Sequence, residues 1–328
     1  MVLIFTEAGK QDGYGHLMRC LAIAQGFKKR QIKPIFYLRG NPGVDDILKG
    51  FSRRIVDWLK VCVDVKGRIV IIDSYHAGRN FCKQVYKVAR KVIFIDDNKR
   101  IPYPGGYVLN SSILSEDISY PDNPRVGYLL GPKYHPLRRE FWEVPVKVIR
   151  KRVEKVLVTF GGSDMTNATL RILKILKEQY PDFKKSIIVG RGFSNINRIK
   201  TEAGKNTALI YSPDAQSMKR EMLKTDICIS GGGQTTYELA RLGVPTIGIC
   251  FAHNQLLNLT GFARHGFIKF AGWYNEKTVC NKIKECLDTL TYKNRLKMSR
   301  AGRKLVDGSG AMRVAMAILS DEPVCKYV

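Results

Sequence analysis

Three consecutive glycines stand between an apolar run and a segment with helical spacing. The run Ile227–Ile229 predicts a buried strand, and Thr235–Leu242 predicts a helix. Glycine lets a phosphate approach the backbone closely, and the N–H groups and dipole at a helix N-terminus attract an anion. Gly231–Gly233 therefore suits a phosphate site, although three glycines also suit a plain tight turn.

A histidine after a second glycine-rich segment is a candidate catalytic group. Gly13, Tyr14 and Gly15 precede His16, and the apolar spacing of Leu17–Lys29 predicts a helix. The positive end of that helix should lower the pKa of the imidazole and favour the neutral form that a general base needs. His16 is therefore either a general base or a helix-capping residue without a catalytic role.

Polar side chains end another apolar strand. Ile69–Ile72 is followed by Asp73, Ser74 and Tyr75. Crevices at the carboxyl ends of parallel strands are where open α/β sheets bind ligands. Asp73 could orient a polar neighbour or the substrate, and Tyr75 could hydrogen-bond to a sugar or to water. A strand-end turn capped by the aspartate explains the same residues.

The elements that must position these residues alternate between strand and helix. Because the strands are apolar throughout, they are typical of parallel sheets covered on both faces. The alternation includes a helix predicted over Val44–Phe51 and weakens after Pro136. It resumes with a strand at Val156–Phe160. A chain of 328 residues is long enough for two such domains.

These segments resemble a known family in the expected order along the chain. The stretch from Ser230 to Glu238 resembles the nucleotide-binding half of sugar-nucleotide enzymes with the GT-B fold. The chain is similar to the hydrolase of the pseudaminic acid pathway, which acts on UDP-2,4-diacetamido-2,4,6-trideoxy-β-L-altropyranose. The family often has a histidine where Ser74 stands, and here a histidine follows at His76 instead. Further matching segments are Gly13–Arg19, Ile95–Asp97, Gly131–Tyr134, Leu137-Arg138, Glu140-Phe141, Val158–Asp164 and Asn254-Gln255.

The resemblance implies an α/β protein of the GT-B type, with two Rossmann-like doubly wound domains facing a central cleft. Residues 1–148 would hold the catalytic base and the sugar side, and residues 149–328 would bind UDP. In such proteins the final helix, here predicted at Ala311–Leu319, often crosses back to the first domain.

The resemblance also implies roles for single residues. His16 would activate the attacking water, with Asp73 and Tyr75 in the catalytic set, and Glu238 would accept ribose hydroxyls. The predicted substrate-binding residues are Gly13, Gly15, Arg19, Gly161, Gly162, Ser163, Gly231, Gly232, Gly233, Gln234, Thr235, Glu238, Asn254 and Gln255. No His, Asp, Glu or Cys cluster has metal-ligand spacing, so neither a metal nor another cofactor is predicted.

Three functions fit this pattern. The first is hydrolysis of a UDP-linked diacetamido-trideoxyhexose to UDP and free sugar, with inverting attack of water, in pseudaminic-acid-type nonulosonate biosynthesis. The second is a GT-B glycosyltransferase that uses a UDP-sugar donor, as an N-acetylglucosaminyltransferase does. The third is a non-enzymatic module that binds sugar nucleotides or nucleic acid.

Charge and composition limit the kinds of binding partner and cellular location that the sequence predicts. The net charge of +26 is spread along the chain without a nucleic-acid motif, so we interpret it as a solvated basic surface that also attracts anionic sugar nucleotides. No run approaches the roughly 18 apolar residues of a membrane span. The eight cysteines are scattered without a Cys-x-x-Cys pair, which favours reduced thiols. We therefore expect a cytoplasmic protein, and the sequence leaves its oligomeric state open.

Overall fold

The computed structural model describes residues 1–9, 14–40, 46–162, 164 and 166–320. They form two compact units, Met1–Trp142 together with the segment that begins at Gly308, and Glu143–Asp307. Two of the predicted substrate-binding residues, Gly13 and Ser163, lie outside the described residues. Within the described ranges, no helix is both long enough and apolar enough to cross a membrane.

The first unit is built on a parallel sheet. Its strands in the described residues are β1 (Val2–Ala8), β2 (Ile35–Gly40), β3 (Ser52–Ile55), β4 (Ile69–Asp73), β5 (Lys91–Ile95), β6 (Gly106–Asn110) and β7 (Val126–Leu130). They lie in the order β3-β2-β1-β4-β5-β6-β7, and each neighbouring pair is parallel. Helix α1 (Gly15–Lys29) follows β1, and α2 (Arg79–Val88) follows β4.

Both faces of this sheet are covered, because successive residues of an apolar strand point to opposite sides. Ile4 and Ile71 pack on the side of α1, in a cluster that includes Leu17. Phe5 and Val85 belong to the opposite cluster, on the side of α2. The first unit is therefore doubly wound.

One predicted helix is wrong over its described part. Within the predicted segment Val44–Phe51, residues 46–50 form turns. Residues 44 and 45 lie outside the described residues. Leu48 is buried in the core from this turn, so its apolar character reflects burial without a helix. Gly50 has φ +83°, in the left-handed region that favours glycine and is incompatible with a continuing α-helix.

The second unit contains another parallel sheet. Its strands are β8 (Lys155–Thr159), β9 (Lys184–Val189), β10 (Thr207–Tyr211), β11 (Ile227–Ser230), β12 (Thr246–Cys250) and β13 (Ile268–Trp273). In the part of the chain that the structure describes, they lie in the order β10-β9-β8-β11-β12-β13, all parallel. The helices are α3 (Ala168–Gln179), α4 (Ile196–Glu202), α5 (Ala215–Lys224), α6 (Gln234–Leu242), α7 (His253–Arg264), α8 (Val279–Thr289) and α9 (Tyr292–Leu305).

The last helix, α10 (Gly310–Leu319), belongs to the first unit. It packs against α1, and Val314 and Ile318 lie in the same core cluster as that helix. A Cβ added at Gly26 of α1 would lie 2.7 Å from the carbonyl oxygen of Ala311, so the close approach of the two helices requires glycine there.

The strand orders define where each sheet should bind a ligand. The order reverses between β1 and β4 in the first sheet, and between β8 and β11 in the second. Loops leave these neighbouring strands in opposite directions, which opens a crevice at their carboxyl ends. His16 and Asp73 follow or end the first pair of strands, and Gly231–Gly233 follows β11 of the second. Two parallel, doubly wound α/β units confirm the fold class predicted from the sequence.

Candidate functional site

A buried cluster joins α1 to the end of β4 in the first unit. Nδ1 of His16 lies 2.6 Å from Oδ1 of Asp73. Arg19, one turn further along α1, donates from Nε to Oδ2 of Asp73 at 2.9 Å and from Nη2 to Oδ1 at 2.7 Å. All three side chains are nearly inaccessible, and Asp73 is 0% exposed. The structure thus brings together the predicted base and the predicted aspartate, and it turns Arg19 inward onto that aspartate.

The cluster keeps Asp73 ionised. Burial alone would raise the pKa of this carboxyl, but the charges of Arg19 and His16 and their hydrogen bonds outweigh it and lower the pKa to about 2. Arg19 also donates from Nη1 to Oδ2 of Asp97, so a second carboxylate shares its charge. Asp73 therefore presents a fixed negative charge to the imidazole at any pH near neutrality.

The prediction that the pKa of His16 is lowered is wrong. Burial does lower the pKa of the imidazole, but the charge of Asp73 and its hydrogen bond outweigh burial, and the pKa is raised. The capping alternative also fails, because the N-cap of α1 is Tyr14 and His16 lies inside the helix. The nearby carboxylate decides the pKa of His16, and the helix end does not.

The contact between His16 and Asp73 determines which ring nitrogen of His16 can accept a proton. The carboxylate of Asp73 accepts a hydrogen bond from Nδ1, which places the proton of the neutral imidazole on Nδ1 and the lone pair on Nε2. An imidazole held in this tautomer by a buried carboxylate is suited to take a proton from a hydroxyl group or water. The ring of Tyr75 lies edge-on to His16, with centroids 4.6 Å apart, and is 44% exposed. Burial raises the pKa of this phenol, which favours the neutral hydrogen-bond donor.

Two carboxylates near this cluster were missed by the sequence argument. Glu7, near the end of β1, is 0% exposed and contacts the loop that carries Tyr75. Asp97 lies in the matching segment Ile95–Asp97 but was assigned no role there. Its neighbour Asp96 does accept backbone hydrogen bonds from Asn98 and Arg100, as a turn requires. A charged residue inside the apolar β1 was the available signal for Glu7, whereas the contact of Asp97 with Arg19 is tertiary.

The glycine loop of the second unit connects β11 to α6. The amide Oε1 of Gln255 accepts hydrogen bonds from the backbone N–H groups of Gly232 and Phe251, at 3.2 and 3.3 Å. Asn258 donates to the carbonyl of Gly232 at 3.1 Å. A Cβ at Gly232 would lie 2.7 Å from the carbonyl oxygen of Gln255, so glycine is required there by packing against α7. Gln255, predicted to contact the substrate, supports the loop.

The next glycine has different surroundings. A Cβ at Gly233 would meet no described atom within 4 Å, and this residue is the exposed N-cap of α6. The first turn of α6 contains Gln234 and Thr235, both half-buried. Its backbone N–H groups and dipole make this helix end suited to a phosphate. Glu238 follows in the same helix and is 3% exposed, and Asn254 is exposed in the first turn of α7.

A second glycine pair lies at the neighbouring strand end. Gly161 and Gly162 follow β8, which pairs with β11. Gly161 has φ +84°, which favours glycine, and a Cβ at either position would meet no described atom within 4 Å. These two loops line the carboxyl ends at the point where the strand order reverses. Among the described residues, no three His, Cys, Asp or Glu side chains are grouped so that they could hold a metal ion.

Known structures define the class of the fold. The chain aligns with MurG of Acinetobacter baumannii over 97% of its length and 99% of that chain, with a TM-score of 0.65 and 15% identity. It aligns with the calicheamicin glycosyltransferase CalG4 over 96% of both chains, with a TM-score of 0.61 and 12% identity. The fold is therefore that of the GT-B glycosyltransferases.

Sequence comparisons indicate which proteins of this fold the chain is similar to. Residues 156–308 match the Glycosyltransferase family 28 C-terminal domain, and all but the last of them lie in the second unit. The spore coat polysaccharide biosynthesis protein SpsG of Bacillus subtilis is 24% identical over 97% of both chains. The chain thus has the GT-B fold and is similar in sequence to a glycosyltransferase domain and to a polysaccharide biosynthesis protein.

Two further relatives are longer than this chain. A Helicobacter pylori protein, a pseudaminic acid cytidylyltransferase and UDP-2,4-diacetamido-2,4,6-trideoxy-beta-L-altropyranose hydrolase, is 26% identical over 82% of this chain and 48% of its own length. An uncharacterized protein of Methanocaldococcus jannaschii is 24% identical over 75% of this chain and 54% of its own length. The chain thus spans about half the length of these two relatives.

Proposed function

We propose that this protein is a glycosyltransferase that takes its glycosyl group from a nucleotide sugar, with a UDP-sugar as the donor. The observation that carries the proposal is the match of residues 156–308 to the Glycosyltransferase family 28 C-terminal domain, because this range includes the glycine loop Gly231–Gly233. The buried pair of His16 and Asp73 supports an enzyme over a binding module, since it holds an imidazole in the tautomer of a base.

The proposed reaction moves one glycosyl group. Nε2 of His16 takes the proton of an acceptor hydroxyl, whose oxygen attacks the anomeric carbon while the bond from that carbon to the diphosphate breaks. UDP leaves with the bonding electron pair, so charge develops on the diphosphate. The N–H groups of Gly233 and of the first turn of α6 would stabilise that charge, with Gly161 and Gly162 as further phosphate contacts. Glu238 and Asn254 are proposed to bind the rest of the donor.

The second candidate is hydrolysis of the same class of donor, with water in place of the acceptor. It is favoured by the likeness to the Helicobacter pylori protein, whose name includes a hydrolase of a UDP-linked diacetamido-trideoxy sugar. The base chemistry is the same in both cases, because water and a sugar hydroxyl each give up a proton as they attack. The two functions differ in the acceptor alone.

Nucleotide release separates the candidates. The purified protein is incubated with UDP-, CMP- and GDP-sugars, with and without a mixture of glycosyl acceptors that includes a membrane lipid extract. We expect release of UDP that depends on the acceptors. Release of UDP without them would select the hydrolase, and no release from any donor would contradict both candidates.

Two glycine substitutions test the nucleotide site. Gly233→Ala adds a methyl group in open space, so the thermal midpoint should stay close to that of the wild type. If a phosphate lies against this backbone, the same methyl group blocks it, and the affinity for UDP should fall about tenfold or more in calorimetric titrations. Gly232→Ala is the matched variant, because its Cβ would collide with α7 and should lower the thermal midpoint as well. Unchanged UDP affinity in a folded Gly233→Ala protein would place the phosphates elsewhere.

A further inference from the structure

Glu7 is a buried carboxylate for which the proposed reaction has no direct use. It lies on β1 one residue beyond Thr6, which pairs with Asp73 of β4. Oε2 of Glu7 accepts a hydrogen bond from Ser74 Oγ at 3.0 Å, and Oε1 accepts one from the backbone N–H of Tyr75 at 3.1 Å. Glu7 is therefore bonded to two consecutive residues of the loop that follows β4.

Ser74 extends this connection into the loop. Its Oγ donates to Glu7 and accepts hydrogen bonds from the backbone N–H groups of His76 and Ala77, at 2.9 and 3.2 Å. Ser74 is 4% exposed, so these bonds are shielded from water. This residue stands where the family that the sequence resembles often has a histidine. In this chain a hydroxyl group fills the position and ties the turn to a carboxylate.

The buried charge of Glu7 has a cationic partner of its own. Nη1 of Arg39, which is paired with Glu7 in the register of β1 and β2, donates to Oε2 at 3.3 Å. His76 contributes a longer contact, with Nε2 3.9 Å from Oε1. Burying a carboxylate beside a partly exposed arginine is a poor way to gain stability, because the desolvation of the carboxylate offsets the attraction. The arrangement is better explained by the loop that it holds.

That loop carries Tyr75 to the catalytic base. The ring of Tyr75 lies edge-on to His16 with centroids 4.6 Å apart, and its backbone N–H is the group bound by Glu7. We propose that Glu7 is a positioning residue of the reaction centre, which acts through Ser74 and the backbone of Tyr75 to fix the Tyr75 ring against His16. The proposal rests on the proposed function, since it takes His16 as the base.

Glu7 also acts on His16 through its charge. Burial lowers the pKa of the imidazole, and the charges that act on it are those of Asp73 from β4, Arg19 from α1 and, most weakly, Glu7 from β1, while the ring of Tyr75 lies edge-on to it. Arg19 disfavours the imidazolium, whereas the carboxylates of Asp73 and Glu7 favour it. Removal of the Glu7 charge should therefore lower the pKa of His16. This result can be measured without any substrate.

Glu7→Gln is the test variant, because it keeps the shape of the side chain and removes its charge. We expect kcat for nucleotide release to fall about ten- to a hundredfold, since small misplacements at a reaction centre cost this much, while KM for the donor stays within about twofold. The acidic limb of the kcat/KM profile should move to lower pH. In ¹³C-histidine NMR spectra, the signal that disappears in His16→Asn should titrate at lower pH than in the wild type.

Asp57→Asn is the matched control. Asp57 is another carboxylate near Arg39, 3.5 Å from its Nε, whereas the bonds to Ser74 Oγ and to the backbone of Tyr75 described above come from Glu7. A kcat of Glu7→Gln equal to that of Asp57→Asn, or an unchanged titration of His16, would overturn the proposal. If Glu7→Gln does not fold, Ser74→Ala tests the proposal instead, because it keeps the charge of Glu7 and removes the hydrogen bond from Ser74 Oγ to that carboxylate. Its kcat should fall with the His16 titration unchanged, and a normal kcat would overturn the proposal.

The experiments distinguish an error in the proposed role of Glu7 from an error in the proposed function. A wild-type protein that releases no nucleotide from any donor would reject the enzyme assignment. The NMR titration would still decide whether Glu7 acts on His16, since it requires no turnover.

Discussion

Replacing His16 with asparagine should reduce nucleotide release by roughly a hundred- to ten-thousandfold, which is the usual contribution of a general base. The side-chain amide of asparagine can place a donor where Nδ1 of His16 now meets Asp73, so the buried carboxylate keeps a partner. The variant lacks any group at the position of Nε2 that takes up protons near neutral pH. The loss should appear in kcat, because the proposed base acts on the attacking oxygen.

Binding and stability separate this loss from misfolding. The affinity of His16→Asn for UDP should stay within about twofold of the wild type in calorimetric titrations, because the proposed phosphate site is the loop Gly231–Gly233. His265→Asn is the control, since His265 is an exposed histidine at the end of α7. It should be as active as the wild type. Near-normal turnover in a folded His16→Asn protein would remove His16 from the mechanism and leave Tyr75 or Asp73 as the next candidates.

The sequence was most informative where strands end. Apolar runs such as Ile69–Ile72 and Ile227–Ile229 predicted strands that the structure contains, and the order of parallel strands places their carboxyl ends together. The sequence could therefore predict that Asp73 and His16, 57 positions apart, lie at the same edge of the sheet, although only the three-dimensional fold could show their 2.6 Å contact. The same contact explains why the pKa of His16 was predicted in the wrong direction. A helix end is visible in a sequence, whereas a buried carboxylate from another strand is not.

Elements with weaker patterns were missed. Strand β3 is exposed at all its residues and carries Arg53 and Arg54, so it lacks the apolar signal of a strand. Its hydrogen bonds to β2 define it instead. Helix α7 begins at His253, shortly after the end of β12 at Cys250, and its polar first turn hid the helical spacing. Because Gln255 lies in that turn, its bond to the glycine loop was also beyond prediction.

Asp73→Asn should have an effect on turnover comparable to that of His16→Asn, for a different reason. The carboxylate now accepts hydrogen bonds from both His16 and Arg19. An asparagine amide can turn its NH₂ group toward Nδ1, which would move the ring proton to Nε2 and remove the lone pair that takes the acceptor proton. We expect turnover to fall roughly a hundredfold or more, with the affinity for UDP little changed.

The variant should also be less stable. Removing one partner of a buried ion pair typically costs about 3–5 kcal/mol, because Arg19 would keep a buried charge with only Asp97 to oppose it. In the wild type the pKa of Asp73 is lowered to about 2, so its stabilising effect is present at neutral pH and is lost as the pH falls from about 4 towards 2. Asp73→Asn should lack this acid-dependent loss, which denaturant titrations at several pH values would measure.

The pH dependence of turnover gives the sharpest distinction. The pKa of His16 is raised in the wild type, so the neutral base forms only above its usual pKa of about 6.5, and kcat/KM should decline with acid from that higher pH. Without the charge of Asp73, burial and Arg19 both disfavour the imidazolium, and the acidic limb should move to lower pH. Asp97→Asn is the matched control, because it weakens the pairing of Arg19 without touching His16. Its acidic limb should stay near that of the wild type, and an equal shift in both variants would mean that Asp73 acts on the base only through Arg19.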